Sequence, residues 1–130
     1  MKDSISVCMC IYGFSEYLSE QTKSILDQTT KITELVVVED YSELESPEHF
    51  IREICSQYQV DLKYLKPKIN LGPYNAFRLA IRNSKGDIIF LSDQDDVWHN
   101  ERVEKAMPYH RNSVLVVSNG KSFVQETCEE

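Results

Sequence analysis

The sequence predicts an α/β fold: a mostly parallel, Rossmann-like sheet with helices on both faces. Three observations predict it. Short apolar runs rich in β-formers, "ISVCMCI", "ELVVVE" and "DIIFL", recur along the chain. Between them, apolar residues are spaced at helical periodicity. The runs are apolar almost throughout rather than alternating, which is the pattern of strands buried on both faces. The resulting order is βαβαβαβαβ, and alternation of that kind implies parallel strands joined by crossover helices.

Each element has its own signal. Ile5–Ile11 reads as a buried strand. Ser15 is placed to cap the next helix, with Phe14, Tyr17, Leu18, Ile25 and Leu26 on one stripe. Glu34–Glu39 is a second buried strand that ends in acids. Ser46-Pro47 reads as an N-cap followed by proline at the first helical position, and Phe50, Ile51, Ile54, Cys55 and Tyr58 give that helix its apolar face. Leu62–Leu65 is a short third strand. Gly72 and Pro73 precede a helix that runs to Asn83 and is stopped by Lys85-Gly86. Asp87–Leu91 is the fourth strand, Asn100–Tyr109 a short helix, and Val114–Val117 a further strand. The tail, Gln125–Glu130, is polar and acidic and is expected to fray.

At 130 residues, with 42% hydrophobic and 27% charged residues, the chain is expected to form one globular domain. A formal charge of −7 argues against general nucleic-acid binding, which needs a basic face. An anionic ligand would therefore need local help from a metal or from helix N-termini. Cys8, Cys10, Cys55 and Cys128 match no zinc or redox spacing and read as thiols in a reducing compartment. No signal peptide is visible, and no run approaches the ~18 apolar residues of a membrane span.

Ligands of open parallel sheets bind outside the carboxyl ends of the strands. Three strands here end there in polar or acidic residues: Tyr12, Glu39-Asp40, and the cluster Asp93, Asp95 and Asp96 in "FLSDQDDVWHN". Three carboxylates in four residues repel one another unless a cation neutralises them. Mg²⁺ and Mn²⁺ prefer oxygen ligands and commonly take one or two carboxylates plus substrate phosphates. A diphosphate ligand would complete such a shell. An EF-hand starting at Asp93 is rejected, because Val97 and Trp98 stand where a ligand and a glycine belong. A solvated, helix-capping turn is the plain alternative for the cluster. Tyr12 is as well suited to the core as to a ligand, and Asp40 to capping a turn. Trp98 is read as a packing anchor, and His49, His99 and His110 as surface or interface residues. No P-loop or nucleophile elbow is present.

The segments "SISVCMCIYGFSEYLSEQTKSILDQT", "LVVVEDYS", "NLG" and "GDIIFLSDQDDVW" resemble family 2 glycosyltransferases in order and spacing, over roughly residues 4–119. "SDQDDVW" after a GD-apolar strand is the most specific element, and Gln21–Thr29 is nearly as telling. The resemblance implies the GT-A fold and an inverting transfer from a nucleotide-diphosphate sugar to a saccharide or lipid-linked saccharide, in bacterial surface polysaccharide synthesis. It implies Mn²⁺ or Mg²⁺, and a cytoplasmic location at the inner face of the membrane. Carried over by position, Tyr12 stacks near the base, Asp40 contacts the base, and Asp93 lies near the ribose or metal. Asp95 is the principal metal ligand, and Asp96 a sugar-contacting or supporting acid.

The chain departs from the family pattern at Ile11-Tyr12-Gly13, at Glu39-Asp40-Tyr41-Ser42 and at Asn75-Ala76. The family's general base comes from its acceptor half, yet only 34 residues follow Asp96. Glu101, Glu104, Glu126, Glu129 and Glu130 do not match it. The expectation is a nucleotide-binding portion, inactive alone, that dimerises through an exposed sheet face. Two rivals differ from this. One is a non-catalytic binding module of the same fold. The other is a phosphoacceptor receiver domain, suggested by "LVVVED", which would leave Ile5–Gln28 unexplained.

Overall fold

The computed structural model describes residues 3–110. Four strands, β1 (Ile5–Ile11), β2 (Glu34–Glu39), β3 (Asp61–Leu65) and β4 (Ile88–Ser92), form one sheet in the order β3-β2-β1-β4. All three pairings are parallel, with Cys8 opposite both Val36 and Leu91. Four helices, α1 (Leu18–Leu26), α2 (Glu48–Cys55), α3 (Gly72–Arg82) and α4 (Arg102–His110), complete the alternation. The expected strand at Val114–Val117 lies outside the described residues.

The period-2 geometry of the central strands sorts their side chains onto two faces. Val7, Met9, Ile11, Leu35 and Val37 point to one side, where they meet Leu18 and Ile25 of α1, Ile51 and Ile54 of α2 and Val103 of α4. Cys8, Val36 and Val38 point to the other, where Ala76 and Ala80 of α3 pack. Small residues at those helical positions let α3 lie close to the sheet. β1 and β2 are buried on both faces, which is why they read as unbroken apolar runs, whereas β3 at the sheet edge is only half-buried. Truncating a fully buried side chain such as Ile25 or Leu35 to alanine should cost ~2–5 kcal/mol.

Helix starts differ from the expected ones by one or more residues. α1 begins at Leu18, so Phe14 and Tyr17 are not part of its stripe; Phe14 is exposed and makes an edge contact with Phe50 at 5.4 Å. Ser15 therefore does not cap α1. Its hydroxyl accepts the Tyr17 N–H in the turn before the helix. α2 begins at Glu48, with Pro47 just outside it, and the Ser46 hydroxyl accepts the Glu48 N–H. α3 includes Gly72 and Pro73 in its first turn rather than following them. α4 starts at Arg102 instead of Asn100.

Candidate active site at the sheet switch point

The order β3-β2-β1-β4 reverses direction at β1. The chain builds outward through β2 and β3, then returns to place β4 on the other side of β1. A crevice opens at such a point beyond the strand ends. The register sets Ile11 opposite Glu39 and Met9 opposite Ser92, so Tyr12, Asp40 and Asp93 each follow directly on this shared edge. Strands so paired lie about 4.8 Å apart. Two bonds tie the edge together: the Asp40 N–H donates to the Ile11 carbonyl, and the Tyr12 N–H to the Gln94 side-chain oxygen at 3.0 Å.

The loop after β4 is held by polar side chains from α1 and the turn that follows it. Gln21, fully buried, donates to the Asp93 carbonyl at 2.6 Å and to the Ser92 hydroxyl, and accepts the Asp95 N–H at 3.0 Å. Ser24 accepts the Trp98 N–H at 2.9 Å. Gln28, also fully buried, donates to the His99 carbonyl and accepts the Val103 N–H. Thr29 donates to the Glu104 carboxylate, and its N–H to the Asn100 carbonyl. A loop has no ladder of its own to satisfy its backbone groups, and buried ones left unpaired are costly. Here Gln21 and Ser24 of α1, with Gln28 and Thr29 just beyond its end, satisfy them one after another from residue 92 to residue 103.

This docking leaves the acids at the surface. Asp93, Asp95 and Asp96 are all exposed. The Asp96 N–H closes a turn onto the Asp93 carbonyl. Asp95 has φ +70°, the one described non-glycine residue in the left-handed region. Its carboxylate accepts the Ser15 hydroxyl at 2.6 Å. The Asp93 carboxylate has no hydrogen-bond partner among the described residues. Opposite it, Gly13 has φ +73°, and a Cβ there would meet Leu44 Cδ1 at 2.5 Å. Tyr12 and Phe14 flank this glycine, each half-exposed. Trp98 is buried against Phe90, with the Arg102 guanidinium 4.2 Å above its ring, so it anchors the loop as expected.

At the end of β2 two neighbouring acids, Glu39 and Asp40, have different partners. Asp40 is almost fully buried, and both its oxygens face backbone. One accepts the Leu71 and Tyr41 N–H groups, at 2.7 and 2.9 Å, and the other accepts the Gly72 N–H at 2.9 Å. It clamps the start of α3, where the helix dipole also favours a carboxylate. Glu39, to which the resemblance assigned no role, accepts the Tyr64 and Ser46 hydroxyls, both at 2.7 Å and both on Oε1. Its Oε2 has no partner among the described residues. Burial and the neighbouring Glu39 push the Tyr64 hydroxyl pKa up, so it stays a donor. Cys10 lies beneath the crevice. Burial foremost, then Cys8, Asp40 and Asp93, push its thiol up to about 12. The other missed residues are Gln21, Gln28 and Ser15; a polar side chain at a core-facing helical position was the available signal for the two glutamines.

A parallel α/β domain with an acidic loop fixed over its switch-point crevice is the architecture of a nucleotide-binding enzyme domain. The chain belongs to the family Glycosyl transferase family 2, whose model it matches over residues 6–127. An uncharacterized glycosyltransferase of Haemophilus influenzae is 29% identical over 127 residues, covering 95% of this chain and 39% of that protein. A Bacillus subtilis protein named for teichuronic acid biosynthesis, TuaG, is 26% identical over 113 residues, covering 83% of this chain and 42% of its own. The chain thus spans about two fifths of these relatives' length. Among solved structures, S. aureus TarS 1-349 in complex with UDP superposes with a TM-score of 0.71 at 21% identity, covering 98% of this chain and 40% of that one. A Pyrobaculum calidifontis mannosyltransferase in complex with GDP-Man and Mn²⁺ gives 0.69 at 19% identity, over 82% and 32%. The expected GT-A fold is the fold observed. No helix of the described residues is long and apolar enough to cross a membrane.

Proposed function

We propose that this chain is the nucleotide-binding portion of a glycosyltransferase. The enzyme moves a sugar from a nucleotide-diphosphate donor to a saccharide or lipid-linked saccharide acceptor, with inversion, in building a bacterial surface polysaccharide. One observation carries the reading. The acid loop is fixed by α1 over the crevice while the Asp93 carboxylate is left unspent. A merely solvated turn would not require a fully buried glutamine to hold it. The complexes of TarS with UDP and of the mannosyltransferase with GDP-Man and Mn²⁺ support the ligand class.

The donor set fits a hard divalent cation. Asp93 and Asp95 offer carboxylate oxygens, and no cluster of three or more ligand-type side chains gathers among the described residues. Two carboxylates, with the remaining positions taken by diphosphate and water, is the usual Mg²⁺ or Mn²⁺ arrangement. Such a cation, when bound, neutralises the diphosphate leaving group. The chain's own part is positional. Gln21 sets the loop backbone, Ser15 orients Asp95, Tyr12 offers an exposed ring to the base, and Asp96 would contact the sugar. Glu39 Oε2, held in place through its sister oxygen, is the acceptor suited to a base N–H. Asp40 acts through the backbone of Leu71 and Gly72.

Glu101 is paired with Lys105 and Glu104 accepts the Thr29 hydroxyl, on or beside the helix after the loop, and neither matches the family's general base. The acceptor half of longer relatives is the proposed source, and residues 3–110 alone should not transfer sugar. A thermal-shift panel of nucleoside diphosphates, with and without Mn²⁺, tests the reading. One of them at ~100 times its dissociation constant should add ~2.7 kcal/mol. Absence of stabilisation by every nucleotide, in both Mn²⁺ and Mg²⁺, defeats it.

A further inference from the structure

Charge is segregated along this chain. Between Leu62 and Gly86 lie six of its 14 lysines and arginines and none of its 21 aspartates and glutamates. That stretch runs from Leu62 within β3 through the loop after it and α3, inside a chain whose formal charge is −7. α3 buries Ala76 and Ala80 against the sheet and turns Tyr74, Arg78, Ile81 and Arg82 outward. Tyr74 is 77% exposed and Ile81 39%, and Leu91 of β4, 46% exposed, faces the same side. With Pro73 and Phe77 they line an open apolar groove of ≈ 620 Å³. Neither Arg78 nor Arg82 forms an ion pair among the described residues.

We propose that this face of α3 docks on the surface of an anionic lipid bilayer. Apolar and tyrosine side chains flanked by arginines match the two halves of that environment. The rings and aliphatic groups enter the headgroup and acyl boundary, and the guanidinium groups meet phosphates. A second copy of the chain fits less well. Two-fold packing through this face would set Arg78 and Arg82 against their own duplicates, and like charges brought together oppose association. Nucleic acid fits less well too, because its backbone offers phosphates but no apolar layer to take up Tyr74, Ile81 and Leu91. The inference is independent of the nucleotide reading, since none of these side chains belongs to the acid loop.

The test is co-sedimentation of the full chain with vesicles of phosphatidylcholine alone or of phosphatidylcholine with about a third phosphatidylglycerol. Binding is expected to the anionic vesicles only, and to weaken in 0.5 M NaCl. Each basic residue near such a surface contributes about fivefold. Arg78→Glu with Arg82→Glu should therefore lower the partition coefficient at least ~25-fold, while circular dichroism stays unchanged. Tyr74→Ser with Ile81→Ser should lower it while leaving the salt dependence intact. Equal binding to both vesicle types, binding to neither, or full binding by the double-glutamate variant overturns the proposal. So does sedimentation velocity showing that the unmutated chain self-associates through Arg78 and Arg82 instead.

Discussion

Gln21 and Asp95 are joined across 74 positions of sequence: the carboxamide oxygen of Gln21 accepts the Asp95 N–H at 3.0 Å, while its amino group donates to the Asp93 carbonyl at 2.6 Å. One buried side chain thus fixes the backbone on both sides of Gln94. Gln21→Ala would leave these loop groups unpaired against the core, at a cost of ~1–3 kcal/mol. Hydrogen exchange at residues 93–96 should accelerate, and metal-dependent nucleotide affinity should fall. Gln21→Glu should impair the loop further, because an oxygen would then face the Asp93 carbonyl. Exchange rates at 93–96 equal to those of the unmutated chain would remove Gln21 from this role.

Asp95 holds a left-handed backbone conformation at the centre of the site. That conformation costs an ordinary residue about 1–2 kcal/mol, aspartate and asparagine less, and glycine almost nothing. Asp95→Gly should therefore be about as stable as the parent or slightly more so, with the lost Ser15 hydrogen bond offsetting part of the gain. Asp95→Asn should keep both fold and loop conformation. Both variants should lose the Mn²⁺-dependent part of nucleotide stabilisation. Thermal shifts with UDP and GDP in Mn²⁺ and in EDTA decide it; a metal response equal to the parent's refutes the ligand assignment.

Glu39 and Asp40 should separate cleanly on mutation. Asp40→Asn places its amino group against the backbone N–H of either Leu71 or Gly72, and should cost ~1–3 kcal/mol of stability. Its effect on nucleotide affinity should be the same for every base. Glu39→Gln should change the preference among UDP, GDP and CDP with a smaller loss of stability. Urea midpoints and binding titrations for the two variants provide the comparison. A changed base preference in Asp40→Asn at unaltered stability would return the base contact to Asp40.

What the sequence revealed follows from where the information lies. The strands of the central sheet were legible because burial on both faces leaves unbroken apolar runs, as in Glu34–Glu39. The acid cluster was visible as crowded carboxylates directly after such a run, and it does fall on the exposed loop beyond β4. The division of labour between Glu39 and Asp40 was not, because it depends on which face of β2 each side chain takes and on what Tyr64 and Leu71 bring there. Gln21 and Gln28 were hidden for a similar reason: their partners lie more than 70 positions away. Helix starts were missed because Ser15 and Ser46 satisfy turns just ahead of α1 and α2 rather than the helices themselves.

Alkaline pH should weaken the fold through its buried thiols. Burial foremost raises Cys8 from 9.0 to about 12, and burial with Cys8, Asp40 and Asp93 raises Cys10 equally. Below pH 9 these thiols are protonated in both folded and unfolded chains and leave stability unchanged. Above it, the unfolded chain releases their protons while the folded chain retains them. Stability therefore falls as pH rises from 9 towards 12, by at most about 1.4 kcal/mol per pH unit for each thiol. Cys10→Ala should make the decline between pH 9 and 11 shallower, by up to one thiol's share. Lysine and tyrosine titration is common to both proteins and cancels in the comparison. Asp93→Asn, by removing one of the charges that oppose the Cys10 thiolate, should move the onset of its alkylation by iodoacetamide to lower pH. Urea midpoints that fall in parallel for Cys10→Ala and the unmutated chain, together with an unshifted alkylation profile in Asp93→Asn, would show that Cys10 is not coupled to the crevice in this way.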